Sequence, residues 1–524
     1  GDPYEEIRYG DEDWRARRIT AYLNLLDRLV ARQVVQLQAS PFEKGSEITR
    51  YFDLLPDSEL KDDYYEMLAC DDAEIRARMQ AQLRRQAVPG GIDVNIMSKL
   101  DRDVYRGGEK LPVEYCDAMA ALRGFANSTL CSSVVFSAGM NPRLFSYAAS
   151  FDDFFPDAEG GIKKKIILKV SDYRSAAIQG KVFAKKGLWV SEYRIESGLN
   201  CGGHAFATQG HLMGPILEEF KKNKAKLNQT LHSMYAKALV SSGRPSPETP
   251  QGIGITVQGG IGTAEEDEFL LRYYEVDGTG WATPFLLVPE ATNVDDEHLE
   301  KLAMATEEDV ILSDSSPLGI PFWNLRNSAA EQARRERIEA GLPGSPCPKY
   351  HARLNTDFTE VPICISSRSY QKRKLHQLGE EDVSLRPLSE EQEQVLVKSC
   401  ICHDLAGGAT VKHGIDPDAT PAVCPGPGIV DFSRIATLEE MVGHIMGRLS
   451  LLTNPDRPHM FVRELRLYVD HLRQETEKLA SGISPRSIEY FSQFKENLLN
   501  GIDYYRGLAE EFVDHERNRF LDQL

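Results

Sequence analysis

A chain of 524 residues, 41% of them hydrophobic, can bury either one barrel-sized domain with additions or two or three ordinary domains. Its 61 Lys and Arg against 79 Asp and Glu leave a formal charge of −18, a field that repels phosphate backbones and argues against nucleic acid as a partner. No run approaches the roughly 20 apolar residues of a membrane span, and the opening "GDPYEEIRYGDEDW" is acidic where a secretory signal is basic. The expected setting is therefore cytoplasmic, with no membrane partner.

Residues 12 to 87 repeat apolar positions at three and four, as in "DWRARRITAYLNLLDRLVARQVVQLQA", which predicts a helical leader over residues 1–88, ended by the breakers of "AVPGG". Short β-rich runs then alternate with helical segments. They are "GIDVNIM", "SSVVFSAG", "KKIILKV", "GLWVSEY", "GIGITVQGG" and "GTGWATPFLLV". Alternating β and α units imply a parallel sheet. The glycine-rich turns come late, at 202–203 and 259–262, whereas a doubly wound sheet carries its glycines at the first βα turn. That placement favours an α/β fold of the (β/α)8 TIM-barrel type over residues 89–325, with two more strands drawn from less regular segments. Residues 326–430 read as a loop-rich, cysteine-bearing extension and 431–524 as a helical tail.

Two junctions carry the chemical signal. In "VQGGIG", Gly259, Gly260 and Gly262 lie between a strand and an acidic helix start, where exposed N–H groups bind anions such as a cofactor phosphate. Plain βα loops use such turns too, but "GTGWATPF" one unit later adds the second of the two strand ends that hold phosphate in barrels. In "IESGLNCGGHAFATQG", Gly202 and Gly203 leave room for a flat ring, and His204 follows a strand end, from which barrel enzymes act. The competing reading is a tight turn with a hydrogen-bonded histidine.

The succession "DVNIM", "SAGMNPRLF", "KVSDYRSAAIQGKVFAKKGLWVSEYRIESGLNCGGH", "ITVQGGIGTAEEDEFL", "GTGWATPFLLVPEA" and "SSPLGIPFWN" resembles the nitronate monooxygenase (2-nitropropane dioxygenase-like) family of FMN-dependent barrels, whose pattern related enoyl reductases share. The resemblance implies an FMN site. The family's strand-two Asn, a flavin contact, falls on Asn95. Its Glu-Ala-Gly-Gly-His segment falls on Asn200, Cys201, Gly202, Gly203 and His204, with His204 as base or proton relay. Its phosphate contacts fall on Gly259, Gly260 and Ile261, and on Ala282 and Thr283. Asn200 stands where the family has an acid and Ala282 where it has glycine, which leaves the substrate open. The family's first strand has no clear match; "VVQLQASPF" lies at about the right distance but has a helical pattern. Lys169, closing "KKIILKV", is placed either to stabilise the electron-rich edge of a reduced flavin or to face solvent.

The expected activity is that of an FMN-dependent oxidoreductase of the nitronate monooxygenase-like type. His204 would take a proton from a carbon acid. The alternatives are an FMN-dependent enoyl or C=C reductase, with or without an iron–sulfur centre, and a non-catalytic barrel subunit. The expected partner is a small-molecule substrate, with a homo-oligomer possible.

Nine cysteines in a chain without a secretory signal argue against a disulfide framework. Cys70, Cys116, Cys131 and Cys201 sit among apolar neighbours. Cys347, Cys364, Cys400, Cys402 and Cys424 lie in Pro/Gly-rich stretches, where thiolates can converge on an iron–sulfur cluster or zinc. Their spacing matches no standard frame, so reduced thiols are expected and no metal ligand is assigned.

Overall fold

The computed structural model describes residues 5–96, 101–106, 109–202, 208–346, 351–379, 387–454, 456–480, 482, 486–512 and 514–524. The chain forms two compact units. One comprises Gly1–Leu168, Gln179–Ser191 and Thr230–Gln251, the other Lys169–Ile178, Glu192–Gln229 and Gly252–Leu524.

In the first unit, helices Trp14–Ala39, Glu47–Leu54, Glu59–Ala69 and Ala73–Gln86 occupy the leader. Ser46, Ser58 and Asp72 cap the last three by accepting hydrogen bonds from first-turn N–H groups. Ile48, Phe52, Tyr64, Met67, Leu83 and Ala87 form a core that these helices share. The first helix packs against helix Asp117–Ala126 across Gly124, where a Cβ would lie 2.7 Å from the Ala16 carbonyl oxygen. Arg123 beside it pairs with Asp13.

Six parallel strands follow in sequence order: β1 (Asp93–Ile96), β2 (Ser132–Phe136), β3 (Lys164–Val170), β4 (Val190–Glu196), β5 (Gly254–Gln258) and β6 (Gly278–Gly280). The central residues of β2 and β3, Val134–Phe136 and Ile166–Leu168, are apolar and buried on both faces and pair in register, Val134 opposite Ile166 and Phe136 opposite Leu168. Rings of Phe136, Phe145 and Phe183 cover them, with Phe145 and Phe183 centroids 4.2 Å apart.

This is a six-stranded parallel half-barrel with a large helical part, and it corrects the closed eight-stranded TIM barrel expected from the βα alternation. Residues 34–39, considered above for a first strand, are the last turns of a helix. After β6, Pro284 opens a 3-10 helix, Pro284–Leu287, in place of a longer strand. The next extended segments, Val310–Ser313 and Phe322–Leu325, pair antiparallel with each other and do not extend the sheet.

In the second unit β4 and β5 alternate strictly. Tyr193, Ile195, Ile255 and Val257 are buried, while Glu192, Arg194, Glu196, Thr256 and Gln258 share the other face. A separate core built on Leu287, Leu302, Leu325, Ile429 and Met441 ties the hairpin to the extension. Helices Met460–Ala480 and Ile488–Leu508 follow. Among the described residues no helix is long and apolar enough to cross a membrane.

Candidate functional site

The polar face of β4 and β5 ends in a four-residue cluster within the second unit. Glu196 and Gln258 are register partners at the carboxyl ends of their strands. Lys169 approaches from the end of β3, and its ammonium lies 3.1 Å from Glu196 Oε1. The same oxygen accepts from Asn200 Nδ2 at 3.0 Å and from the Gln258 side-chain amide. Three donors thus converge on one carboxylate oxygen. Farther down the same face Glu192 repeats the arrangement, pairing with Arg194 at 2.8 Å and accepting from the Thr256 hydroxyl.

The turn after β4 is drawn tightly against the turn after β5. Ser197 N–H donates to the Gln258 carbonyl at 3.1 Å, and the Ser197 hydroxyl accepts from Leu199 N–H. Gly259 and Gly260 have φ values of +103° and +87°. A Cβ on Gly259 would lie 3.1 Å from the Asn200 nitrogen, and one on Gly260 would lie 2.6 Å from Leu199 Cδ1. Conformation thus favours glycine at both positions, and space is tight at each. Among the described residues the N–H groups of Gly260 and Ile261 donate no hydrogen bond, so two successive donors are available for an oxyanion.

The rest of this loop is held internally. Glu266 accepts from Gly262 N–H at 2.9 Å, and Arg457 donates to the Gly260 carbonyl at 2.6 Å and to Glu266 at 2.7 Å. Arg457 also pairs with Asp431, which Arg463 grips through both carboxylate oxygens. Burial alone would raise the Glu266 carboxyl, but Arg457, His459 and the Gly262 N–H together outweigh it and hold the group below the usual carboxylate range. Gly262, read from sequence as part of a phosphate loop, therefore spends its N–H on a carboxylate.

Thr283 begins the 3-10 helix after β6, half-buried, with Ala282 exposed beside it. The extension comes close here. A Cβ on Gly426, at φ +71°, would lie 2.6 Å from Thr283 Oγ1. Gly202 is exposed at φ +70° with open space where a Cβ would project. Gly203 and His204 lie outside the described residues. The segment that follows is anchored by the C-terminal helices: Met213 N–H donates to Glu464 at 2.7 Å, Thr208 and Tyr468 share a 3.0 Å hydroxyl contact, and Asn497 donates to the Gln209 carbonyl at 2.7 Å. Asn95 belongs to the first unit, exposed on β1 opposite Val135.

Of the sites expected from sequence, Lys169, Gly202, Gly259, Gly260, Ala282 and Thr283 all belong to the second unit. Sequence reasoning missed Glu196 and Gln258, although the alternation of β4 and β5 marks both as sharing one face. It also missed Arg457, which no local pattern signals. Among the cysteines, Cys364, Cys400 and Cys402 gather around Ala352, while Cys424 meets Cys201. Cys347 lies outside the described residues, among which no group of three or more His, Cys, Asp or Glu side chains is set to hold a metal ion.

No family model matches the sequence, and no curated protein matches it. A solved structure that it resembles slightly is the enoyl reductase domain of MlnA from the macrolactin biosynthesis cluster of Bacillus amyloliquefaciens. The TM-score is 0.37 at 14% identity, over 71% of this chain and 84% of that one, a likeness below that of a shared fold.

Proposed function

We propose that this chain is an FMN-dependent oxidoreductase of the nitronate monooxygenase-like type, acting at an activated carbon. The observation that supports it best is the convergence of Lys169, Asn200 and Gln258 on Glu196 at adjacent strand ends, beside a glycine turn with two undonated N–H groups. A flavin mononucleotide needs both a polar rim for its ring edge and backbone donors for its phosphate.

In this reading the N–H groups of Gly260 and Ile261, with Thr283, hold the phosphate. When bound, FMN supplies the two-electron chemistry. Glu196 fixes the Lys169 ammonium in place, so a cation stands ready where negative charge develops. Asn200, which replaces the acid expected from the resemblance, donates to Glu196. The carboxylate of this site therefore comes from four residues earlier. The open space at Gly202 leaves room for a planar ring, and His204 takes the proton from the substrate carbon.

Incubating the purified protein with FMN, removing excess and recording its visible spectrum tests the reading. A retained flavin that bleaches anaerobically with a nitroalkane is the expected result. Failure to retain FMN would overturn it. His204→Asn is expected to keep the flavin and lose about 10²-fold or more in turnover.

A further inference from the structure

Cys201 and Cys424 stand 223 positions apart in sequence and are bonded crosswise. Cys201 Sγ donates to the Cys424 carbonyl at 3.0 Å, and Gly202 N–H donates to Cys424 Sγ at 3.2 Å. The first contact joins the Cys201 sulfur to the Cys424 carbonyl and the second joins the Cys424 sulfur to the residue after Cys201, so the two sulfurs lie within a side chain's reach of each other. Both belong to the second unit. The segment bearing Cys424 is tightly seated, because a Cβ on Gly426 would lie 2.6 Å from Thr283 Oγ1 and 3.2 Å from the Leu199 carbonyl oxygen. Cys201 is partly exposed, and its neighbour Gly202 is open to solvent. Cys424 is buried with the core built on Leu287, Leu302 and Ile429, and its sulfur still accepts from the turn that carries Cys201.

We infer that Cys201 and Cys424 form a redox-active dithiol that closes to a disulfide when it meets a small external disulfide. The flavin reading plays no part in this. The Gly202 N–H on Cys424 favours the thiolate there. Cys424 Sγ, which accepts that N–H, is the first attacker, while burial, with Cys424 as a smaller contributor, pushes the Cys201 thiol up to about 12 and keeps its proton on it. The Cys424 thiolate attacks one sulfur of the external disulfide, whose S–S bond breaks and releases one thiol. Cys201 then attacks the Cys424 sulfur of the mixed disulfide, releasing the second thiol, and its own proton passes to solvent. The cysteine pair loses two electrons, and the external disulfide gains them. The new bond ties the Cys-Pro-Gly-Pro segment to the end of β4 and closes a very long loop, which stabilises the oxidised form.

The test uses the full chain, treated with oxidised glutathione under native conditions, blocked with N-ethylmaleimide and digested for mass spectrometry. The expected product is a peptide pair joined through Cys201 and Cys424. It should disappear with dithiothreitol, be absent from Cys201→Ser and Cys424→Ser, and persist in Cys131→Ser. Oxidation should raise the Tm of the parent protein and leave that of Cys201→Ser unchanged. Recovery of both cysteines carrying maleimide while exposed Cys131 carries glutathione would overturn the inference. So would Cys424 joined to any other cysteine. Formation of the link in protein that retains no FMN would sink the flavin reading and leave this one standing.

Discussion

Lys169 and Glu196 form an ion pair at 3.1 Å with both side chains 16% exposed, on the strand ends where the polar face of the sheet terminates. At that depth the attraction is less screened than at a surface, and the amides of Asn200 and Gln258 fix the carboxylate from two further sides. If Lys169 stabilises reduced flavin, Lys169→Met should slow flavin reduction by about 10²-fold, the usual scale for one lost stabilising donor. It should also lower the flavin's midpoint potential. Stopped-flow reduction and a potentiometric titration measure the two effects. An unchanged potential would place Lys169 outside the flavin's field.

Much of this cluster was legible as a local pattern. "KKIILKV", "VSEYRIE" and "GITVQ" are strands because their apolar residues fit a buried pleat, and period-two alternation puts Glu196 on the face of Arg194 and Gln258 on the face of Thr256. What local pattern does not encode is which strands neighbour which. The opposition of Glu196 and Gln258, 62 residues apart, is a property of register. The closed barrel failed for a similar reason. Residues 34–39 are apolar enough for a strand, yet they continue a helix of 26 residues, and among the described residues nothing after Gly280 supplies another strand to the sheet. Arg457 could not be foreseen at all, since its partner Glu266 is 191 residues away.

That pairing sets a stability prediction. The side chains of Arg457, Glu266 and Asp431 are each no more than 4% exposed, so removing the guanidinium leaves Glu266 without its cation and Asp431 with Arg463 alone. Arg457→Met should destabilise by about 3–5 kcal/mol. Urea unfolding followed by circular dichroism checks it. Glu266→Gln, which keeps the acceptor for Gly262 N–H, should cost less. Equal losses in the two variants would show that charge compensation is not the governing effect.

Two buried groups give the pH profile opposite slopes. Burial pushes Glu464 up to about 7, against the pull of Met213 N–H and Ser197, so the folded state holds a proton that the unfolded chain releases near the ordinary value of 4.5. Its contribution is full below 4.5 and is lost as pH rises through 7. Burial pushes His459 down to about 4, so below 6.5 the unfolded chain takes up a proton that the folded state refuses, and stability falls between pH 6.5 and 4. Glu464→Gln keeps the acceptor for Met213 N–H and removes only the first slope. The variant should gain stability over the parent at pH 8 and fall more steeply on acidification, as read by Tm across pH 4 to 8. A parallel profile would rule out titration of Glu464.

The glycine turn offers the sharpest separation of folding from ligand binding. Gly260 adopts φ +87° with Leu199 Cδ1 2.6 Å from the position of a Cβ, so Gly260→Ala meets both a left-handed backbone penalty of roughly 1–2 kcal/mol and a clash with a side chain able to turn aside. Relieving either moves the N–H groups of Gly260 and Ile261 by a few tenths of an ångström, and hydrogen bonds to an oxyanion weaken steeply with such displacement. We expect FMN affinity to fall by about tenfold or more, since one lost charge-assisted hydrogen bond is worth about 1.5–3 kcal/mol. The Tm should drop only modestly. Gly252→Ala, with nothing within 4 Å of its Cβ position, should change neither. Fluorescence titration with FMN and differential scanning fluorimetry on the same preparations read both quantities. Full FMN affinity in a Gly260→Ala protein of lowered Tm would remove the phosphate from this turn, because the strain would then have been felt by the fold and not by the ligand.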